Sequence, residues 1–265
     1  MKKVRWIIQT NLSEIEKMTS ACEKLGIEYE GVYVIPFSNE MPEFTKDIDT
    51  TNIYYGSTTF MYNVYRQLNK PVGLFFEEKT FSMEKYLDVW NYYMLSSDGK
   101  ITTLKKFIQE EHPDDMNFFI RPDADDKSFD GVVKPFSEIK TFINNITKCD
   151  NAMLNEDTKI LVSEPYNITK EWRNYIVNGK VVTSTLYRKN FKLCKDGTDA
   201  PAEMIEFVEE RCKEYMPHEV FTMDIALSGD DYYIIECGCM NSVGFYDCNV
   251  EKLVSEITKY VSGNE

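Results

Sequence analysis

The sequence predicts an α+β protein in which a small α/β lobe, residues 1–95, precedes a larger module rich in antiparallel hairpins. Three observations point there. Apolar β-rich runs alternate with helical patterns through the first 95 residues. Asn178-Gly179 sits between two β-rich runs, the pattern of a type I′ hairpin turn. A second pair of such runs, within 219–237, flanks Ser228-Gly229-Asp230-Asp231.

Residues 4–9 read as the first strand. Ser13 and Glu16 make a capping-box pattern, and Ile15, Met18, Cys22 and Leu25 follow at helical spacing. A second strand is expected over 28–35, then an acidic, irregular stretch from Pro36 to Asp49. A short strand, 53–55, ends in Gly56-Ser57-Thr58. A plain turn with an N-cap, or backbone N–H groups that hold an anion, would both suit those residues. A helix is expected over 60–68, a strand over 71–76, and helices over 83–94 and 101–110.

A strand over 116–122 closes on Arg121 and Pro122. A polar loop, 123–131, leads to a strand from Val132 to Lys134 and a helix from Ser137 to Ile146. Strands at 160–164 and 171–177 approach the Asn178-Gly179 turn. Residues 191–201 read as a polar loop. Met204, Ile205, Val208, Cys212 and Tyr215 then mark a helix, and Val250, Leu253, Val254, Ile257 and Val261 mark the last one.

Register carries the chemistry. The Asn178-Gly179 turn pairs Val177 with Lys180, which would set Arg173 opposite Ser184 and Glu171 opposite Leu186. Glu171, Arg173, Ser184 and Arg188 then share a face, either solvated or lining a ligand. In the last hairpin a three-residue loop, Gly229 to Asp231, would set Asp224 directly opposite Glu236. A two-residue loop would send them to opposite faces. Like charges directly opposed destabilise a sheet, and a cation between them reverses that sign. Two carboxylates plus phosphate oxygens suit Mg²⁺; two solvated acids are the alternative.

Composition limits the partners. The 265 residues carry 30 Lys and Arg against 44 Asp and Glu, a net charge of −14. Broad binding to nucleic acid is therefore disfavoured, and small or basic partners suit the surface better. No apolar run approaches the roughly 20 residues that span a bilayer. The apolar run before Gln9 is too short for a signal peptide, so a cytoplasmic protein is expected. The seven cysteines are scattered. Cys237, Cys239 and Cys248 could gather as thiolates, but two histidines and no second pair argue for buried free thiols.

The order of features from Asn117 onward resembles the ATP-grasp superfamily. The resemblance rests on Phe119-Ile120-Arg121-Pro122 with Lys127, Phe129 and Gly131; on Leu161-Val162-Ser163-Glu164-Pro165-Tyr166-Asn167-Ile168 with Glu171-Trp172-Arg173; on Met223-Asp224-Ile225; and on Ile235-Glu236 with Asn241. It is most similar to the phage and bacterial clade named for its two arginines and a lysine, where a leading lobe with a Tyr-Gly-Ser turn, here Tyr55-Gly56-Ser57, also precedes the module.

The resemblance implies two α+β lobes, about 115–165 and 166–265 of a module at 96–265, that clamp ATP. It implies Arg121, with Lys127 or Lys134, on the phosphates, Glu164 at the adenine hinge and Glu171 on the ribose. Arg173 and Arg188 would stabilise the transferring phosphate, and Asp224, Glu236 and Asn241 would bind Mg²⁺. The implied activity is an ATP- and Mg²⁺-dependent ligation of a carboxylate to an amine or related nucleophile through an acyl-phosphate, on a small molecule, amino acid or peptide. A nucleotide-binding protein of the same fold without turnover is the alternative. Relatives usually read Glu-x-Asn where this chain has Gly238, so the third metal ligand is the weakest of these assignments.

Overall fold

The computed structural model describes residues 3–126, 128–146 and 154–263. Lys127 and Cys149 lie outside the described residues. Among the described residues the strands form three sheets.

The first sheet is parallel. Strand β1 (Lys3–Gln9) is central, with β2 (Glu28–Val32) and β3 (Thr50–Tyr55) on either side. Its run Val4 to Gln9 is buried throughout, as expected for a strand covered on both faces. Helix α1 (Glu16–Leu25) links β1 to β2, and α2 (Thr58–Gln67) follows β3. The expected capping box is not formed. The chain turns at Glu14 with φ 59°, Ile15 is the N-cap without a side-chain bond, and Glu14 instead reaches Lys195 at 3.0 Å. The strand expected at 71–76 is a single bridge from Gly73 to Ile53. The chains approach so closely there that a Cβ on Gly73 would lie 1.9 Å from the Asn52 carbonyl oxygen.

The second sheet is antiparallel, in the order β4 (Lys100–Thr103), β7 (Lys159–Ser163), β5 (Asn117–Pro122), β6 (Val132–Pro135). The helix expected over 101–110 is corrected here. Ile101-Thr102-Thr103 is β-branched and pairs with β7, and only α4 (Leu104–Ile108) is helical. Thr103 caps that helix by accepting from the Lys106 N–H at 3.3 Å. Helix α3 (Met83–Trp90) ends short of 94, in a 3₁₀ turn at Asn91–Tyr93. Helix α5 (Phe136–Ile146) packs with α4 over a core of Phe107, Phe118, Ile120 and Ile139.

The third sheet runs β10 (Lys192–Asp196), β9 (Lys180–Lys189), β8 (Lys170–Val177), β11 (Val220–Ser228), β12 (Asp231–Cys239). The loop expected at 191–201 thus contains an edge strand. Helix α6 (Ala202–Glu214) covers one part of the sheet through Met204 and Val208 against Trp172, Leu186 and Phe221. Helix α7 (Val250–Ser262) joins another part to the first sheet, through Leu253, Val254 and Ile257 in one core with Trp6, Ile8 and Tyr175. No helix among the described residues is long and apolar enough to cross a membrane.

Bulges decide the registers. In the last hairpin the loop has two residues, so Ser228 pairs with Asp231 and Ile225 with Ile234. A bulge at Ile235 then restores Asp224 opposite Glu236, the pairing expected from a longer loop. Bulges in β8–β9 set Arg173 opposite Thr185 rather than Ser184, and Glu171 opposite Arg188 rather than Leu186. Because β11 also sets Asp224 opposite Arg173, the row Thr185, Arg173, Asp224, Glu236 crosses four strands.

Two of the three hairpin turns of this sheet have the same backbone and different residues. Asn178-Gly179 has φ 49° and 75°, and Asn190-Phe191 has φ 47° and 62°. Glycine adopts the second position freely, whereas a phenylalanine there costs on the order of 1–2 kcal/mol.

Candidate functional site

Between the second and third sheets lies a cleft of about 1010 Å³. Its second-sheet wall carries Phe119, Arg121 and Val133, and its third-sheet floor carries Arg173, Asp224 and Glu236. Six of the residues expected to act in the site meet here as three ion pairs. Arg173 clasps Asp224 with Nε and Nη2 at 2.8 and 2.7 Å. Arg121 reaches across from β5 to Glu236. Arg188 donates from Nη1 to both oxygens of Glu171 at 3.2 Å. The sheet therefore does not leave Asp224 and Glu236 in bare repulsion. Two guanidinium groups supply the cation that directly opposed acids require.

Burial sets the electrostatics. It opposes the charge of Arg173, and the Asp224 carboxylate more than offsets it, holding the guanidinium well above its ordinary value. The same balance with Glu236 raises Arg121. Burial, then the charges of Asp224 and Glu171, push the Tyr187 phenol well above its usual range. Tyr187 thus stays protonated and donates to Glu171 at 2.8 Å. Its ring stacks on Tyr246 at 5.1 Å, and Arg173 lies over both rings. That packing fixes the guanidinium at the floor.

The remaining expected residues lie elsewhere. Asn241 is buried and is not among the residues that line the cleft. Its amide donates to the Tyr54 and Gly73 carbonyls at 2.6 and 2.9 Å, and its Oδ1 accepts from the Phe75 N–H at 2.7 Å. It ties the β12 end to β3 and to the segment at Gly73 and Phe75. Lys134 is half-buried, does not line the cleft and pairs with Glu138 at 2.8 Å. The Glu164 side chain is exposed; its N–H donates to Asp98 at 3.2 Å, and the Tyr166 hydroxyl also bonds to Asp98. Lys127 falls outside the described residues. At Gly56-Ser57-Thr58 the structure has a turn with an N-cap. The Ser57 N–H donates to Gln9, and Ser57 Oγ accepts from the Phe60 N–H. Cys237 is buried in the core and burial raises its thiol well above the usual range, so it remains unreactive.

Residues 79–257 match the family model described as "ATP-grasp domain, R2K clade family 3". The chain belongs to this ATP-grasp family. The match takes in the whole row of cleft pairs from Arg121 to Glu236. No curated protein matches the chain in sequence. Among solved structures, D-alanine–D-alanine ligase from Bacillus anthracis is similar over 99% of this chain and 98% of its own, at TM-score 0.57 and 14% identity. The ATP-grasp ligase PsnB, complexed with precursor peptide PsnA2 and AMPPNP, is similar over 99% of both chains, at TM-score 0.59 and 8% identity. Phosphoribosylamine–glycine ligase from Thermotoga maritima is similar over 98% of this chain and 76% of its own, at TM-score 0.62 and 12% identity. At these identities the likeness is one of fold, and the expected ATP-grasp architecture is borne out.

Some participants in this ATP-grasp cleft carry no signal in the sequence. Asp125, one acid of an acid-rich loop, crosses the cleft and accepts from the Cys239 N–H at 2.9 Å. Tyr187 and Tyr246 are ordinary aromatics until the fold stacks them.

Proposed function

We propose that this protein is an ATP- and Mg²⁺-dependent ligase that joins a carboxylate to an amine or related nucleophile. The reading rests on one observation: three arginine–carboxylate pairs line a single cleft between two sheets. Phosphate oxygens suit the arginines, and a hard divalent cation suits the freed carboxylates. Among the described residues no group of three or more His, Cys, Asp or Glu could hold a metal alone. Two carboxylates completed by phosphate oxygens fit Mg²⁺, so Asp224 and Glu236 are the residues that would hold it. Bound there, Mg²⁺ would neutralise phosphate charge.

The chain's own residues then have distinct tasks. Arg121 holds phosphate oxygens from the second sheet. Glu171, oriented by Tyr187 and Arg188, faces the ribose hydroxyls. Arg173 and Arg188 meet the charge that develops as a phosphoryl group passes to the substrate carboxylate, giving an acyl-phosphate. The nucleophile next displaces phosphate and loses its proton. Such catalysis is positioning and charge neutralisation, so it needs no nucleophilic side chain. Residues 1–95 would serve as the leading lobe, with 115–165 and 166–265 as the two clamping lobes. ATP supply would place the work in the cytoplasm.

One observation favours a nucleotide-binding protein without turnover: the Asn241 amide is bonded to Tyr54, Gly73 and Phe75, leaving two protein carboxylates for the metal. Phosphate release separates the readings. A ligase should form ADP and phosphate from ATP only when a carboxylate and an amine substrate are both supplied. ATP binding without substrate-stimulated phosphate release across a broad screen of such pairs would favour the second reading.

A further inference from the structure

Tyr86 on α3 is 2% exposed, and its hydroxyl is buried with no hydrogen-bond partner among the described residues. The buried hydroxyls of Tyr55, Tyr175 and Tyr187 each donate to an oxygen, of Val243, Gly244 and Glu171, at 2.9, 2.7 and 2.8 Å. A desolvated hydroxyl without a partner costs stability, and a phenylalanine would fill the same place without that cost. An orphaned donor of this kind suits a second state of the site in which it has an acceptor.

The surroundings name that acceptor. The first turn of α3 is tied to the segment just after Arg121. There the Met83 and Glu84 N–H groups donate to the carbonyl and the carboxylate of Asp123, at 2.9 and 2.8 Å, and Ser82 bridges to Ala124. Tyr86 follows on the same helix and shares a core with Cys237, the residue after Glu236 on β12. It therefore sits between the strand end that carries Arg121 and the strand that carries Glu236, the two halves of an ion pair across the cleft. Burial, then Cys237, Asp125, Tyr215 and Glu236 around it, hold the phenol well above its usual range, so it keeps a proton to donate. Asp125 already accepts from the Cys239 N–H at 2.9 Å. Glu236 is the acid that gives up a guanidinium when phosphate oxygens take Arg121. We propose that Tyr86 is a positioning residue for the nucleotide-bound cleft: its hydroxyl donates to the Glu236 carboxylate that Arg121 leaves, and holds it for Mg²⁺. Carboxylates that bind metals are themselves fixed by such donors. The proposal rests on the nucleotide reading of the cleft and adds a residue to it.

The test uses the full chain, with thermal unfolding for stability and calorimetry for the affinity of ATP in the presence of Mg²⁺. Without ligand, Tyr86→Phe should unfold at the same temperature as the wild type or higher, because it deletes an unsatisfied group. Its affinity for ATP with Mg²⁺ should nevertheless fall about tenfold, the scale for losing a donor that orients a metal-binding side chain. In a Glu236→Gln background the same change should move the affinity by about twofold or less, since the charge it serves is gone. That split in sign, and that coupling, are what a purely structural tyrosine would not produce. A lower unfolding temperature with unchanged affinity would overturn the proposal and leave the hydroxyl as a packing contact. An equal fall in affinity in both backgrounds would also overturn it, by placing the acceptor on another group such as Asp125. Tight ATP binding to the wild type that Tyr86→Phe leaves unmoved removes this proposal alone; no ATP binding to the wild type removes the nucleotide reading, and the proposal with it.

Discussion

The floor and the lip of the cleft hold the same chemical pair in different surroundings. At the floor Asp224 is 3% exposed and is clasped by two nitrogens of Arg173. At the lip Arg188 is 46% exposed and meets Glu171, itself 4% exposed, through one nitrogen. Exposed pairs contribute little because water screens them, whereas removing one partner of a buried pair strands a desolvated charge. Both acids are buried, but Glu171 keeps the Tyr187 hydroxyl when Arg188 is removed, so the floor should matter more for stability and the lip mainly for ligand binding. This reverses the simplest expectation for opposed acids, in which removing one relieves repulsion.

The largest expected effect is at Asp224. Asp224→Asn should destabilise the ligand-free protein by about 3 kcal/mol in urea unfolding, the low end for breaking a buried pair. If stability instead rose, the acids would be repelling one another after all. Converting the pair to Arg173→Met with Asp224→Leu should restore most of that stability while nucleotide binding stays lost. Glu236 is next. At 29% exposed it is partly screened, so Glu236→Gln should lower stability by about 1–2 kcal/mol.

A smaller effect, of opposite sign, is expected at the second hairpin turn. Phe191→Gly should raise thermal stability by about 1 kcal/mol, because glycine adopts the positive φ without strain. A loss of stability there would show that the exposed ring packs in solution. An effect of similar size is expected at the lip, where Tyr187 still donates to Glu171: Arg188→Met should lower stability by about 1 kcal/mol while depressing any substrate-stimulated phosphate release.

The hairpins show what was legible and what was not. Asn178-Gly179 announces its turn, and the opposition of Asp224 and Glu236 could be read from the runs beside Gly229. The route to that opposition could not. A two-residue loop and a bulge at Ile235 reach the register that a three-residue loop would give, and bulges leave no mark in hydrophobic alternation. β10 was hidden because Phe191 occupies a place where glycine would have signalled a turn. The acids of the site were legible because each interrupts an apolar run. Their partners were harder, since Arg121 and Glu236 are 115 residues apart and meet only when the two sheets face each other. Asn241 is near Glu236 in sequence, and nothing there announces that its amide bonds to Tyr54, Gly73 and Phe75.

The most direct test of the account is calorimetric titration of ATP into the wild-type protein and Glu236→Gln, each with and without Mg²⁺. Nucleotide and metal should replace the arginine–carboxylate pairs together. Binding should therefore be tight only when Mg²⁺ is present, and Glu236→Gln should weaken it about tenfold or more, the scale of one charge-assisted contact. Equal ATP binding with and without Mg²⁺, unmoved by Glu236→Gln, would contradict the account and leave the three pairs as structural contacts.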